Sequence, residues 1–110
     1  MNAKTQIDSK TKTLLFALPG DLTSSNVAIY KGEFAELLKD NDSTPRNWDV
    51  FRLDVAGAAM IDSMGLNFVV GVFRQIDRLG VKMQVAYRDS NVYRTLLFTR
   101  LDKHVELVKI

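Results

Sequence analysis

The residues best placed to do chemistry in this chain are Asp62 and Ser63, two adjacent polar side chains in an apolar stretch. They end a strand-like run and open the most hydrophobic helix-like run of the sequence. A serine at a helix start lies beside backbone N–H groups that have no partner within the helix, and such a position favours a phosphate. The alternative is that Asp62 or Ser63 only caps the helix, a position that both residue types favour. Residue types and spacing leave both interpretations open.

Several classes of catalytic site lack the residues that they need. The chain has one histidine, His104, and no cysteine, which argues against thiol chemistry, a histidine zinc site and a serine–histidine pair. The hydrolase motif G-x-S-x-G lacks its first glycine at Ser63, and neither G-x-x-x-x-G-K-[ST] nor G-x-G-x-x-G occurs. Asp54 and Asp62 alone are a weak signal for magnesium. We therefore predict that the protein is not an enzyme and needs no cofactor or metal.

The apolar runs and their periodicity predict one domain, residues 1–110, of the α/β class. The predicted strands are residues 3–8, 13–18, 48–55, 81–85 and 105–108. A helix is predicted in each of the last three connections, so that the order is strand, strand, helix, strand, helix, strand, helix, strand. Strands that alternate with helices imply parallel pairing through right-handed crossovers. We expect a mixed sheet of about five strands with an N-terminal hairpin and three or four helices packed on it.

Two local expectations accompany this fold. The strand at residues 48–55 is nearly continuously apolar, which predicts a central strand covered on both faces or mostly so. The hydroxyl residues at positions 23–25 are predicted to cap the first helix, and residues 40–47 are predicted to form a polar loop after it.

The sequence also bears on where the protein acts. The first residues have no apolar signal core, and no apolar run reaches the length that spans a membrane. The formal net charge of +2 is too small to argue for nucleic-acid binding. We expect a cytoplasmic protein that neither inserts into a membrane nor binds nucleic acid.

The sequence DSMGL at residues 62–66 resembles the D-S-[ST]-G-[LIV] signature of STAS domains, and most closely that of the stand-alone anti-sigma factor antagonists of bacteria. Three further segments match the family in order. GDL at residues 20–22 is similar to G-E-[LI], LDV at residues 53–55 to L-D-[LV], and SNVYRTLL at residues 90–97 to S-x-x-V-x-R-x-[LI]. The resemblance covers nearly the whole chain.

The resemblance implies a partner switch. Members of the family bind a serine kinase that is also an anti-sigma factor, and this kinase phosphorylates the serine after the motif aspartate. Phosphorylation blocks binding, and a metal-dependent serine phosphatase reverses it. Carried over to this chain, the phosphoacceptor is Ser63. The predicted partner-binding residues are Asp62, Ser63, Met64, Gly65 and Leu66, together with Asp21 and Thr23 after the second strand. Both loops follow strands and precede helices, so we expect them at the same end of the sheet.

The chain departs from the family pattern at positions that bear on this switch. Met64 replaces a second hydroxyl residue and leaves Ser63 the only acceptor in the motif. Thr23 stands where many antagonists have an acidic residue, and Arg100 stands where a glycine is common. Two other functions stay open: a STAS module that scaffolds a membrane transport assembly without phosphorylation, and a module that binds nucleotide at Ser63 and the helix start.

Overall fold

The computed structural model describes residues 3–41 and 46–110. Its elements follow the predicted order, with one short 3-10 helix added before the last strand. They are β1 (Lys4–Asp8), β2 (Thr13–Ala17), α1 (Val27–Asn41), β3 (Val50–Asp54), α2 (Ser63–Arg78), β4 (Lys82–Tyr87), α3 (Ser90–Leu97), the 3-10 helix (Leu101–Lys103) and β5 (Glu106–Lys109).

The five strands form one sheet in the order β1-β2-β3-β4-β5, so that each strand pairs with its neighbours along the chain. β1 and β2 form an antiparallel hairpin, whereas the three later pairings are parallel. A helix connects each parallel pair, because parallel strands cannot be joined by a tight turn. The predicted mixed sheet, its N-terminal hairpin and its three helices are confirmed.

The helices pack on one face of the sheet, where alternate strand residues are buried. Phe16, Phe34 and Phe51 join β2, α1 and β3, with ring centroids 5.8 and 5.6 Å apart. On β3, Phe51 and Leu53 are buried in this core, but Val50, Arg52 and Asp54 are only half-buried on the other face. The prediction of a central strand is confirmed, since β3 is the middle strand of the sheet. The helices cover only one of its faces, and the polar side chains of Arg52 and Asp54 lie partly exposed to solvent on the other.

Helix α1 differs from the prediction at both ends. It begins at Val27, so the hydroxyl residues lie in a preceding turn, where the side chains of Thr23 and Ser25 are hydrogen-bonded to each other at 2.8 Å. The helix continues through Asn41, so residues 40 and 41 of the predicted loop are helical, and residues 42–45 lie outside the described residues. Asn41 accepts a 2.8 Å bond from the buried Trp48 indole through its backbone carbonyl. This bond ties the end of α1 to the approach of β3.

Arg100 lies between α3 and the 3-10 helix and has left-handed backbone angles, with φ 57° and ψ 27°. A residue with a side chain is strained in this region because its Cβ approaches the following carbonyl oxygen, and glycine has no Cβ. The structure thus gives a physical reason for the glycine that is common here in the family.

We expect Arg100→Gly to raise the free energy of unfolding by about 0.5 kcal/mol, since relief of strain of roughly 1–2 kcal/mol is partly offset by the greater freedom of glycine in the unfolded chain. Urea unfolding of both proteins measures this change. Lys103→Gly is the control: it lies in the 3-10 helix without a positive φ, so it should lower stability. Equal losses in the two variants would contradict the argument from strain.

Candidate functional site

Helix α2 begins at Ser63, and the residue that caps it is Asp62. Asp62 has extended backbone angles, and its Oδ1 accepts a 2.8 Å bond from the backbone N–H of Gly65. Ser63 is therefore the first residue of the helix and not its cap, and its side chain is exposed. Of the two interpretations of this pair, capping applies to Asp62 and leaves the Ser63 hydroxyl at the surface beside the helix N-terminus.

The β2–α1 loop (residues 18–26) lies directly against the β3–α2 loop (residues 55–62). Leu22 and Ile61 form a single parallel bridge, in which the Leu22 N–H donates to the Met60 carbonyl at 3.1 Å and the Asp62 N–H donates to the Leu22 carbonyl at 3.2 Å. The expected closeness of the two loops at one end of the sheet is confirmed.

Two carboxylates, one from each loop, strengthen this contact by accepting hydrogen bonds from the backbone of the other loop. Asp21 lies in the β2–α1 loop, and its Oδ1 accepts bonds from the N–H groups of Ala59 at 2.7 Å and Met60 at 3.1 Å. Asp62 lies in the β3–α2 loop, and its Oδ2 accepts a 2.8 Å bond from the N–H of Ser24. Each loop thus supplies one carboxylate to the backbone of the other, which holds the start of α2 at a fixed position.

Gly65 is buried where α2 meets the β2–α1 loop. A Cβ at this position would overlap the Leu22 carbonyl oxygen and lie 2.9 Å from the Leu22 carbonyl carbon and 3.0 Å from Cγ2 of Ile61. The backbone of α2 can approach Leu22 this closely only because residue 65 has no side chain. The glycine of the DSMGL sequence therefore has a packing role.

The hydrogen bonds to Asp62 lower its pKa below the ordinary value of an aspartate. The N–H of Gly65 contributes most and the N–H of Ser24 next, with a smaller contribution from the N–H of Met64, while desolvation acts in the opposite direction. Donors that favour the charged form make the carboxylate harder to protonate. Asp62 is therefore ionised at neutral pH, and its negative charge faces backbone N–H groups at the helix N-terminus.

This lowered pKa predicts a pH-dependent contribution to stability. Because the folded state binds the proton of Asp62 more weakly than the unfolded state does, the contribution is fully present above the unfolded-state pKa of about 3.9 and is lost as the pH falls through the folded-state pKa. Asp62→Asn has no carboxylate to titrate, and its side chain has one acceptor oxygen for the two N–H donors of Ser24 and Gly65. We expect the difference in unfolding free energy between the wild type and this variant to be largest near neutral pH and to shrink below about pH 4. Urea unfolding across this range measures it, and a difference that stays constant would contradict the assigned cause.

The other predicted site residues have distinct environments. Met64 is exposed, whereas Leu66 is half-buried and packs against the core. Thr23 is half-buried, with its N–H bonded to Asn26 and its hydroxyl to Ser25. Met60 was not among the predicted site residues, but it is 52% exposed just before the bridge to Leu22. It lies at the end of an apolar run, and exposure of a methionine there is not visible in the sequence pattern.

The remaining candidates for chemistry lie apart from this site or have structural partners. Oδ1 of Asp54 accepts a 2.8 Å bond from the Ala56 N–H and so stabilises a turn. His104 is exposed, with its ring 5.5 Å from that of Phe73. Within residues 3–41 and 46–110, no three His, Cys, Asp or Glu side chains are grouped so that they could hold a metal ion. In the same part of the chain, no helix is long and apolar enough to cross a membrane.

Comparison with known proteins places this chain in a family. Residues 4–110 match the STAS domain family, and the chain therefore belongs to it. No curated protein matches the chain in sequence.

Solved structures similar to this one are bacterial and mammalian. A candidate anti-sigma factor antagonist from Thermotoga maritima is 18% identical, with a TM-score of 0.77 over 98% of this chain and 86% of that one. An anti-sigma factor antagonist from Mycobacterium paratuberculosis is 14% identical, with a TM-score of 0.75 over 97% of this chain and 86% of that one. The murine Solute Carrier 26 family member A9 anion transporter is 15% identical, with a TM-score of 0.77 over 98% of this chain but only 20% of that one. At these identities the likeness is one of fold.

Proposed function

We propose that this protein is a phosphorylation-gated regulator of the anti-sigma factor antagonist type, acting in the cytoplasm. Its unphosphorylated form binds a serine kinase that is also an anti-sigma factor. Phosphorylation of Ser63 by this kinase ends the binding, and a serine phosphatase restores it. The observation that supports this proposal best is the exposed side chain of Ser63 as the first residue of α2, with the capping role taken by Asp62.

The position of Ser63 suits a phosphoacceptor. A kinase needs an accessible hydroxyl outside a regular strand, and Ser63 is exposed at the junction of a loop and a helix. Phosphoserine adds about −1.5 to −2 charges at neutral pH, and a helix N-terminus stabilises an anion by roughly 0.3–1 kcal/mol at an exposed site. The nearby Asp62 carboxylate opposes this gain. The two effects partly cancel, so the fold should tolerate the phosphate.

A partner surface centred on Ser63 should not tolerate it. A dianion that enters an interface loses its hydration, and without a matching positive group this loss is not recovered. Phosphorylation would then change affinity without unfolding the protein. The two solved antagonists with similar folds are consistent with this role.

We expect Ser63 to be the single site that the kinase modifies. The purified protein is incubated with the cognate serine kinase and ATP, and the phosphate is located by mass spectrometry of peptides. Ser63→Ala should accept no phosphate, although Ser24, Ser25 and Ser90 are also exposed. Phosphate mainly on Ser24, Ser43, Thr44 or Ser90 would contradict the assignment. A chain that binds no kinase and accepts no phosphate would favour the transport-scaffold function instead.

A further inference from the structure

The two acidic side chains of the site are committed to backbone N–H groups of this chain. Both carboxylate oxygens of Asp62 accept such bonds, from Gly65 and Ser24, and Oδ1 of Asp21 accepts two, from Ala59 and Met60. Four backbone N–H groups therefore donate to these two carboxylates. Their geometry suits residues that position the loops and does not require a contact with a partner.

Two large apolar side chains are exposed beside Ser63, one before it and one after it. Met60 is 52% exposed and Met64 is 47% exposed, and they lie on either side of Ser63 along the chain. The other large hydrophobic side chains with comparable exposure among the described residues are Ile29, Phe98 and Ile110. Methionine is enriched in protein interfaces, where its flexible thioether adapts to the partner surface.

Both methionines project from backbone that the structure holds in place. The Met60 N–H donates to Asp21, and its carbonyl accepts from the Leu22 N–H. Met64 is the second residue of α2, directly before the buried Gly65. A fixed backbone lowers the entropy that binding must overcome, so these side chains are well placed to contribute affinity.

We infer that Met60 and Met64 are the principal contacts of the unphosphorylated protein with its kinase, and that the kinase presents an apolar pocket to them. This inference rests on the function proposed above. It also specifies how the phosphate acts. A phosphate on Ser63 would have to lose its water when the apolar pocket closes over the two methionines, so binding fails through desolvation and needs no acidic group on the kinase.

The first test compares affinities for the purified kinase that phosphorylates this chain, measured by calorimetry. Met60→Gln and Met64→Gln keep the length of the side chain and make it polar, and each should weaken binding by about tenfold, the scale of an interface anchor. Met60→Leu and Met64→Leu should bind within about threefold of the wild type, because they stay apolar. Phe98→Gln is the matched control, since Phe98 is 83% exposed at the end of α3 and should bind as the wild type does.

A second test separates apolar contact from charge. Because only Oδ1 of Asp21 accepts bonds from Ala59 and Met60, Asp21→Asn can keep both bonds and lose the charge. Its affinity should stay within about threefold of the wild type. Raising sodium chloride from about 0.1 M to about 1 M, which shortens the screening length from about 10 Å to about 3 Å, should also leave the dissociation constant nearly unchanged.

Each outcome decides between defined alternatives. Wild-type affinity in both glutamine variants, or a tenfold loss in Asp21→Asn with a strong dependence on salt, would overturn the inference and leave the proposed function intact. A kinase that neither binds nor phosphorylates the wild type would overturn both. Melting temperatures near that of the wild type in every variant ensure that a loss of affinity does not come from unfolding.

Discussion

Replacing Gly65 with alanine is expected to lower the free energy of unfolding by on the order of 3 kcal/mol, as overpacking of a tight site does. The added methyl group would overlap the carbonyl oxygen of Leu22, which is backbone and cannot rotate away. Relief requires α2 to move from the β2–α1 loop, and this movement breaks the bond between Asp62 and the Ser24 N–H. Urea unfolding measures the loss of stability, and amide exchange should show faster exchange at Ser24 and Gly65.

Gly71 provides a matched control in the same helix. A Cβ there would meet no atom within 4 Å, and residue 71 lies inside α2. Gly71→Ala should therefore raise stability by up to about 1 kcal/mol, because alanine is the better helix former. If both alanine variants gained stability, the close approach of Gly65 to Leu22 would not be a constraint.

Ser63→Asp is expected to weaken binding to the kinase by at least about tenfold, since an unpaired charge in an interface costs more than roughly 1 kcal/mol. The free energy of unfolding should change by less than about 0.5 kcal/mol, as is usual for an exposed position. An aspartate as the first residue of α2 is favoured by the helix dipole and disfavoured by the neighbouring Asp62 carboxylate. Calorimetric titration and urea unfolding of the same preparation measure the two quantities separately.

Two further substitutions isolate the charge. Ser63→Asn has nearly the shape of the aspartate without its charge and should bind more tightly than Ser63→Asp. Ser63→Ala should bind as the wild type does and should not respond to kinase and ATP, and it removes no helix cap because Asp62 holds that position. The phosphorylated wild type should bind more weakly than Ser63→Asp, because phosphoserine carries more charge than aspartate. Wild-type affinity in both the aspartate variant and the phosphorylated protein would exclude the switch.

The order of the elements followed from the sequence because local periodicity determines it. Val27, Tyr30, Phe34, Leu37 and Leu38 recur at helical spacing, and all five are buried on one face of α1. Gly80 marks the end of α2 with a φ of 72°, which only glycine adopts without strain. The ends of α1 were predicted wrongly, and the open face of β3 was not predicted. The C-terminal end of α1 is fixed by a bond to the Trp48 side chain, which local periodicity does not reveal. The open face of β3 depends on which side of the sheet the helices cover.

For the site, the sequence predicted which loops meet but not the hydrogen bonds between them. Parallel strands place their carboxyl ends at one edge of the sheet, so the loops that contain Asp21 and Ser63 were expected to meet. The bonds from Ser24 to Asp62 and from Ala59 to Asp21 each join residues 38 apart in the chain, and no local pattern specifies them. The sequence indicated Asp21 as a partner-binding residue, and that stays a prediction. The structure adds that the Asp21 carboxylate accepts bonds from the backbone of the β3–α2 loop.

The sequential order of the strands has a consequence for biosynthesis. Each strand from β2 to β5 adds to the edge formed by the strand before it, so the sheet can grow as the chain leaves the ribosome, N-terminal part first. Asp21 is synthesised 38 residues before its partner Ala59 and stays without that partner until β3 and its loop have emerged. The edge of β2 stays open over much of the same interval, since its partner β3 begins only at Val50. A nascent chain stalled between these points would expose an unpaired strand edge, where we expect chaperones to bind and aggregation to begin.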